Sequence, residues 1–170
     1  MSTLPLIKWK TFIAVPVDRV YRTLTTAEGW DGWFTRGTTL DARAGGQLRL
    51  RWNNAERDGH RVTLWGPVHT GLEIGGPVVA ADPNSRFAFE WTTAGHPTTV
   101  DFRLAPQGPG TLVTLTERGY AESDLRPTGI VGQMADHSPF AMCASGWGEA
   151  LTLLKFYLEH GITYGPVPTL

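Results

Sequence analysis

The chain has 170 residues, 41% hydrophobic and 18% charged, with a formal net charge of −1 and a single cysteine, Cys143. That length and composition fit one globular domain spanning 1–170, and the near-neutral charge excludes the basic surface that non-specific nucleic-acid binding needs. No run of about 18 apolar residues is present to insert into a membrane, the lone thiol excludes an internal disulfide framework or a cysteine-rich zinc site, and residues 1–8 lack the apolar core of a signal peptide, so a cytoplasmic protein is expected.

In chain order, Trp9 to Val15 reads as a first strand. Pro16 opens a short helix with Asp18 in its first turn and Val17, Val20, Tyr21 and Leu24 on its apolar side. Thr26 to Phe34 reads as a second short helix, weakened by Gly29 and Gly32. Ala44-Gly45-Gly46 is a turn, after which Leu48, Leu50 and Trp52 alternate with Gln47, Arg49 and Arg51, the pattern of a strand with one buried face. Residues 53–75 form an irregular, partly apolar insertion expected to cover one end of a sheet; Trp65 and His69 lie in it. A strand from Gly75 ends in a turn at Asp82-Pro83-Asn84. Phe87, Phe89 and Trp91 then alternate with polar neighbours, as do Val100, Phe102 and Leu104; Pro106 to Gly110 is a hairpin loop, and Thr111 to Arg118 returns as a strand. The stretch 119–139 is long for a plain loop and is expected to hold a helical turn or to act as a lid.

The chain ends on a helix. Trp147, Leu151, Leu154 and Leu158 recur at helical period, flanked by Ala150 and Tyr157 and stopped by Gly161. One amphipathic helix after a run of antiparallel strands buries its stripe against the concave face of their sheet. The expected class is therefore α+β with a helix-grip arrangement: a curved antiparallel sheet wrapped around a long C-terminal helix, with two short helices after the first strand.

Five local strings occur in the order seen in one family. Residues 26–34 resemble a "T-x-x-x-x-x-x-W-F" helix region. Arg43-Ala44-Gly45-Gly46-Gln47-Leu48-Arg49 is similar to an "R-x-G-G-x-(F/L)-R" turn and strand, and residues 76–91 to a "G-x-V-x-x-x-x-P-x-x-R-(L/F)-x-F-x-W" double strand. Gly110 to Thr116 and the helix opening at Gly146-Trp147 complete the set. Together they resemble the bacterial proteins named for similarity to the activator of Hsp90 ATPase, within the START-like (SRPBCC) superfamily, over roughly residues 8–160. The resemblance implies a sheet gripping the C-terminal helix over an apolar cavity. It leaves activity open, since lipid carriers, hormone and allergen-type binders, aromatase/cyclases and chaperone co-factors share that fold.

The chemistry-bearing residues point to binding. His60, His69, His96, His137 and His160 form no paired metal-ligand motif, and no metal site, cofactor or catalytic residue is assigned. Cys143 has apolar neighbours and reads as an inert buried thiol. Glu73 and Glu117 are the carboxylates expected to face inward. Glu117 shares its strand face with Val113 and Leu115, unless a bulge near the strand end turns it to solvent. Seven Trp, seven Phe and four Tyr supply flat, partly polar walls. The expected partner is a hydrophobic or aromatic small molecule, bound between the sheet and the last helix. Trp33, Trp52, Trp65, Phe89, Trp91, Phe102, Met142 and Trp147 supply apolar walls, and His69, Glu117 and His137 orient the ligand. One alternative is a cyclase- or hydrolase-type enzyme in the same cavity, with His137 or Glu117 as general base. The other is a chaperone co-factor, although the chain lacks the Asn-x-Asn-x-Trp-His-Trp segment of the two-domain eukaryotic activators.

Overall fold

A computed structural model of the protein describes residues 5–52, 72–127 and 137–163. Its strands are β1 (Ile7–Ile13), β2 (Thr39–Leu40), β3 (Gln47–Trp52), β4 (Leu72–Asp82), β5 (Arg86–Trp91), β6 (Thr98–Gln107) and β7 (Gly110–Arg118). They form one antiparallel sheet in the order β1-β7-β6-β5-β4-β3-β2. Helices α1 (Val17–Thr25) and α2 (Ala27–Trp33) follow β1, a 3₁₀ turn covers Glu122–Leu125, and α3 (Pro139–His160) closes the chain. This is the expected helix-grip architecture. Three details differ: β1 runs two residues earlier than the expected Trp9–Val15, the two-residue β2 is too short to leave an alternation pattern, and β4 begins three residues before Gly75, inside the stretch read as irregular.

Local chemistry sets the helix boundaries. Thr26 ends α1 in extended geometry and starts α2, its hydroxyl accepting the Gly29 N–H at 3.1 Å. The two glycines of α2 serve packing more than they weaken the helix. A Cβ on Gly29 would stand 2.2 Å from the Thr23 carbonyl, and one on Gly32 would stand 2.5 Å from the Tyr157 ring, so their absence lets α2 press against both α1 and α3. The α3 helix opens on a Ser138 cap with Pro139 behind it and closes on Gly161 in the left-handed region.

The register separates two faces. Inward, one cross-strand row runs Phe87, Phe102, Leu115 and the next runs Phe89, Val100, Glu117, Ile7, each residue pairing with its neighbour in the row. Phe87, Phe89, Phe102, Val100 and Leu115 are fully buried, and Trp91 is buried while Glu90 is half-exposed. Outward, Arg86 and Arg103 flank Asp101. Glu73 also belongs outside, against expectation. It pairs opposite Arg51, whereas its neighbour Ile74 pairs with the buried Leu50. Arg51 and Arg49 grip its carboxylate, and the Arg51 bond holds it below the usual glutamate range.

The stripe Trp147, Leu151, Leu154 and Leu158 is buried on the concave face. The α3 helix also guards the free edge of β1: Lys155 Nζ donates to the Phe12 carbonyl and the Ala14 N–H donates to Glu159, both at 2.6 Å. Those bonds occupy main-chain groups that an edge strand otherwise offers to another chain.

Candidate functional site

The inward face of β7 runs Val113, Leu115, Glu117, so a carboxylate enters an otherwise apolar row at the strand's end. Glu117 is 0% exposed, and the bulge that would have turned it to solvent does not occur. Three side chains donate to it. Trp91, the last residue of β5, gives its indole N–H to Oε1 at 2.7 Å, and Thr98, the first residue of β6, gives its hydroxyl to the same oxygen at 2.6 Å. Trp147, one turn from Cys143 on α3, gives its indole N–H to Oε2 at 2.7 Å. An indole N–H can only donate, so both carboxylate oxygens act as acceptors. Among the described residues, no Lys, Arg or His pairs with this buried acid. Such a group is stabilised by satisfied hydrogen bonds alone.

A second layer lies behind the first. Gly119, with φ at 106°, turns the chain sharply out of β7, and the following Tyr120 is fully buried, its ring edge-on to Phe140 at 5.1 Å. The Tyr120 hydroxyl lies near both Glu117 and Cys143 but is aligned for a hydrogen bond with neither. Burial raises its pKa steeply, and the Glu117 charge adds to that. Burial, again helped by Glu117, pushes the Cys143 thiol up to about 11, so it stays a protonated donor to Thr93 Oγ1 at 3.4 Å. An inert thiol was the expectation. Thr93 itself is half-buried, in the loop that joins β5 to β6. Asp124 of the 3₁₀ turn, whose charge also acts on Cys143, is buried and binds the Ala121 N–H at 2.6 Å and His96 Nε2 at 2.8 Å.

The aromatic walls meet this polar cluster at Trp147. Its ring lies 5.0 Å from Trp91, 5.7 Å from Phe102 and 6.0 Å from Phe34, centroid to centroid. Phe34 stacks on Trp33 at 5.0 Å, and Trp30 sits between Trp33, Phe89 and Phe102. Of the residues expected to line a site, the fold therefore joins Trp33, Phe89, Trp91, Phe102, Glu117 and Trp147 into one connected group. Met142 is half-buried on α3, and His137 is exposed just before that helix, away from the interior. Trp65, His69 and the Trp52 side chain lie outside the described residues.

Four participants were not anticipated. Thr98 was legible by extending the Val100-Phe102-Leu104 alternation two residues back. Trp30, Thr93 and Tyr120 carry no local signal, because their places depend on helix packing and on the turn at Gly119. Among the described residues, no group of three His, Cys, Asp or Glu is placed to hold a metal ion.

The sequence matches the family model described as activator of Hsp90 ATPase homolog 1-like protein over residues 14–159. No curated protein matches it. Solved structures share the fold. The Aha1 dimer from Colwellia psychrerythraea superposes with a TM-score of 0.67 at 20% identity, covering 93% of this chain and 98% of that one. Protein SSP2350 from Staphylococcus saprophyticus gives a TM-score of 0.67 at 21% identity, covering 96% and 98%. DynU16, a putative protein in the dynemicin biosynthetic locus, gives 0.65 at 18% identity, covering 93% of this chain and 48% of its own.

Proposed function

The chain belongs to the activator of Hsp90 ATPase homolog 1-like family, within the START-like fold, and from that premise we propose that it binds an apolar or aromatic small molecule between the sheet and α3, with Glu117 as the polar end of the seat. One observation carries the reading: a fully buried carboxylate is held by the side chains of Trp91, Thr98 and Trp147, with no cation among the described residues to pair with it. A carboxylate placed only to stabilise the fold would be matched by a guanidinium, or replaced by an apolar residue at lower cost. Small-molecule sites instead join aromatic walls to a few buried polar groups that fix orientation. The likeness to a protein of a biosynthetic locus supports the same direction. On this reading residues 1–170 act as one domain in the cytoplasm, and the wall residues are Trp33, Phe89, Trp91, Phe102 and Trp147. The Cys143 thiol, with a pKa near 11, is unsuited to act as a nucleophile at neutral pH.

The test is ligand capture. The purified protein is screened by native mass spectrometry for carried molecules, then titrated with fatty acids, flavonoids and polyketide-like aromatics while indole emission is followed. A saturable emission change that is weakened by Trp147→Phe is the expected result. Unchanged emission across the panel, with no bound mass, overturns the reading.

A further inference from the structure

Resting on that ligand seat, we propose that the group it takes at Glu117 is a primary ammonium carried on an apolar body. Charge gives the first reason. Glu117 is 0% exposed and meets three neutral donors, whereas the outer-face Asp101 has Arg86 and Arg103 beside it. In a low-dielectric interior, a carboxylate with only neutral partners attracts a cation far more strongly than it would in water. Arg118, the next residue, alternates to the outside and is exposed, so it does not supply that charge. Asp124, buried nearby, acts on Cys143 with a second negative field.

The acceptors give the second reason. Oε1 of Glu117 already receives Trp91 and Thr98, whereas among the described residues Oε2 receives one well-aligned donor, Trp147, and keeps a second acceptor direction. The buried Tyr120 hydroxyl lies near the Glu117 carboxylate and the Cys143 thiol, closely aligned with neither. Thr93, whose Oγ1 accepts the Cys143 thiol, is half-buried. The Glu117 carboxylate and the Tyr120 and Thr93 hydroxyls all act on Cys143, which gathers acceptors in one neighbourhood, and an ammonium has three donors and no acceptor. The phenol and indole rings add faces that favour a cation. The ligand's apolar body would then lie against Ala94 and Phe140, both half-buried and packed on the core. A ligand carboxylate would meet the Glu117 charge, and a quaternary ammonium would bring no N–H.

The experiment uses four matched probes on the whole protein at neutral pH: phenethylamine, phenethyl alcohol, phenylacetate and phenethyltrimethylammonium. The readout is nitrogen–proton NMR of the Trp91 and Trp147 indoles, with affinity from the titration. Phenethylamine is expected to move both signals and to bind at least about tenfold more tightly than each of the other three, the scale of one charge-assisted hydrogen bond. Glu117→Gln should lower its affinity to that of the alcohol. Tyr120→Phe leaves the carboxylate and its three donors in place; it should weaken the amine by about tenfold and the alcohol hardly at all. Should Glu117→Gln fail to fold, Tyr120→Phe and the trimethyl probe decide alone. Equal or tighter binding of the alcohol, phenylacetate or the quaternary probe overturns the ammonium assignment and leaves the seat standing. Silence of both indoles towards all four probes also overturns it, and only combined silence towards the wider apolar panel removes the seat as well.

Discussion

Asp101 and Glu117 stand on adjacent strands, 2% and 0% exposed, yet their surroundings are opposites. Asp101 faces outward, and Arg86 reaches it with two nitrogens, at 3.1 and 2.9 Å, while Arg103 stands at 3.5 Å. Those guanidinium side chains are 31% and 61% exposed, so water shares in holding the charge. Glu117 faces inward and has two indoles and a threonine, all buried. The outer acid is a stitch between β5 and β6 whose partners carry its compensation with them. The inner acid ties β5, β6, β7 and α3 to one point, and no cation among the described residues matches its charge. Near-identical burial thus hides two different uses of a carboxylate, and the partners' charge and wetness tell them apart.

The largest effect should come from breaking the inner set. Trp147→Ala removes a fully packed ring and one Glu117 donor, and is expected to cost about 3–5 kcal/mol of unfolding free energy in a denaturant titration. Trp147→Phe keeps a ring, deletes the N–H and should cost about 1–3 kcal/mol. On the outer face, Arg86→Ala should cost about 1 kcal/mol or less, because Arg103 and water remain. A loss at Arg86 as large as that at Trp147 would show that the two carboxylates carry equal structural weight.

Part of the contrast between the two acids is legible in the sequence. Alternation alone put Phe87, Phe89, Trp91 and Glu117 on one side, because period-two parity is a local property of each strand. The bonds that make Glu117 a site were not local. Trp91 is 26 residues away, Thr98 is 19 and Trp147 is 30, and they meet only through the β5–β6–β7 register and the crossing of α3. Glu73 was misplaced where Gly75-Gly76-Pro77 interrupts the pattern, so its parity became readable only from the pairing with Arg51. Tyr120 was hidden by the turn at Gly119.

A smaller change sharpens the contrast between the two acids. Glu117→Gln replaces an acceptor with an amide NH₂, which then faces an indole N–H or a hydroxyl that has no other buried acceptor. The expected cost is about 1–3 kcal/mol. Asp101→Asn keeps one acceptor for Arg86 and leaves the guanidiniums to solvent, at a cost below about 1 kcal/mol. Repeating both measurements in 1 M salt, where the Debye length is about 3 Å, should shrink the Asp101 effect and leave the Glu117 effect unchanged. Reversed salt responses would place the exposed ion pair on the wrong acid.

The smallest effect concerns Asp124, which lies between the two cases because its charged partner is conditional. Asp124 is buried and accepts from the Ala121 N–H and His96 Nε2, and His96 is 37% exposed. The Asp124 bond, helped by the Pro97 carbonyl, raises the His96 pKa above its ordinary value. A group whose proton is held more tightly when folded contributes stability that is complete below the unfolded imidazole value, about 6.5, and fades as pH rises through the higher folded value. Between pH 5.5 and 8.5 the wild-type unfolding midpoint should therefore fall by more than that of His96→Gln, whose amide nitrogen takes the place of Nε2 beside Asp124 but cannot titrate. The remaining histidines are common to both proteins and cancel in the difference. Solvent screening at a partly exposed imidazole keeps the difference small. Parallel midpoints across that range would mean that Asp124 is held by its backbone bond to Ala121 alone. The 3₁₀ turn beside Cys143 and Thr93 would then owe nothing to the β5–β6 loop.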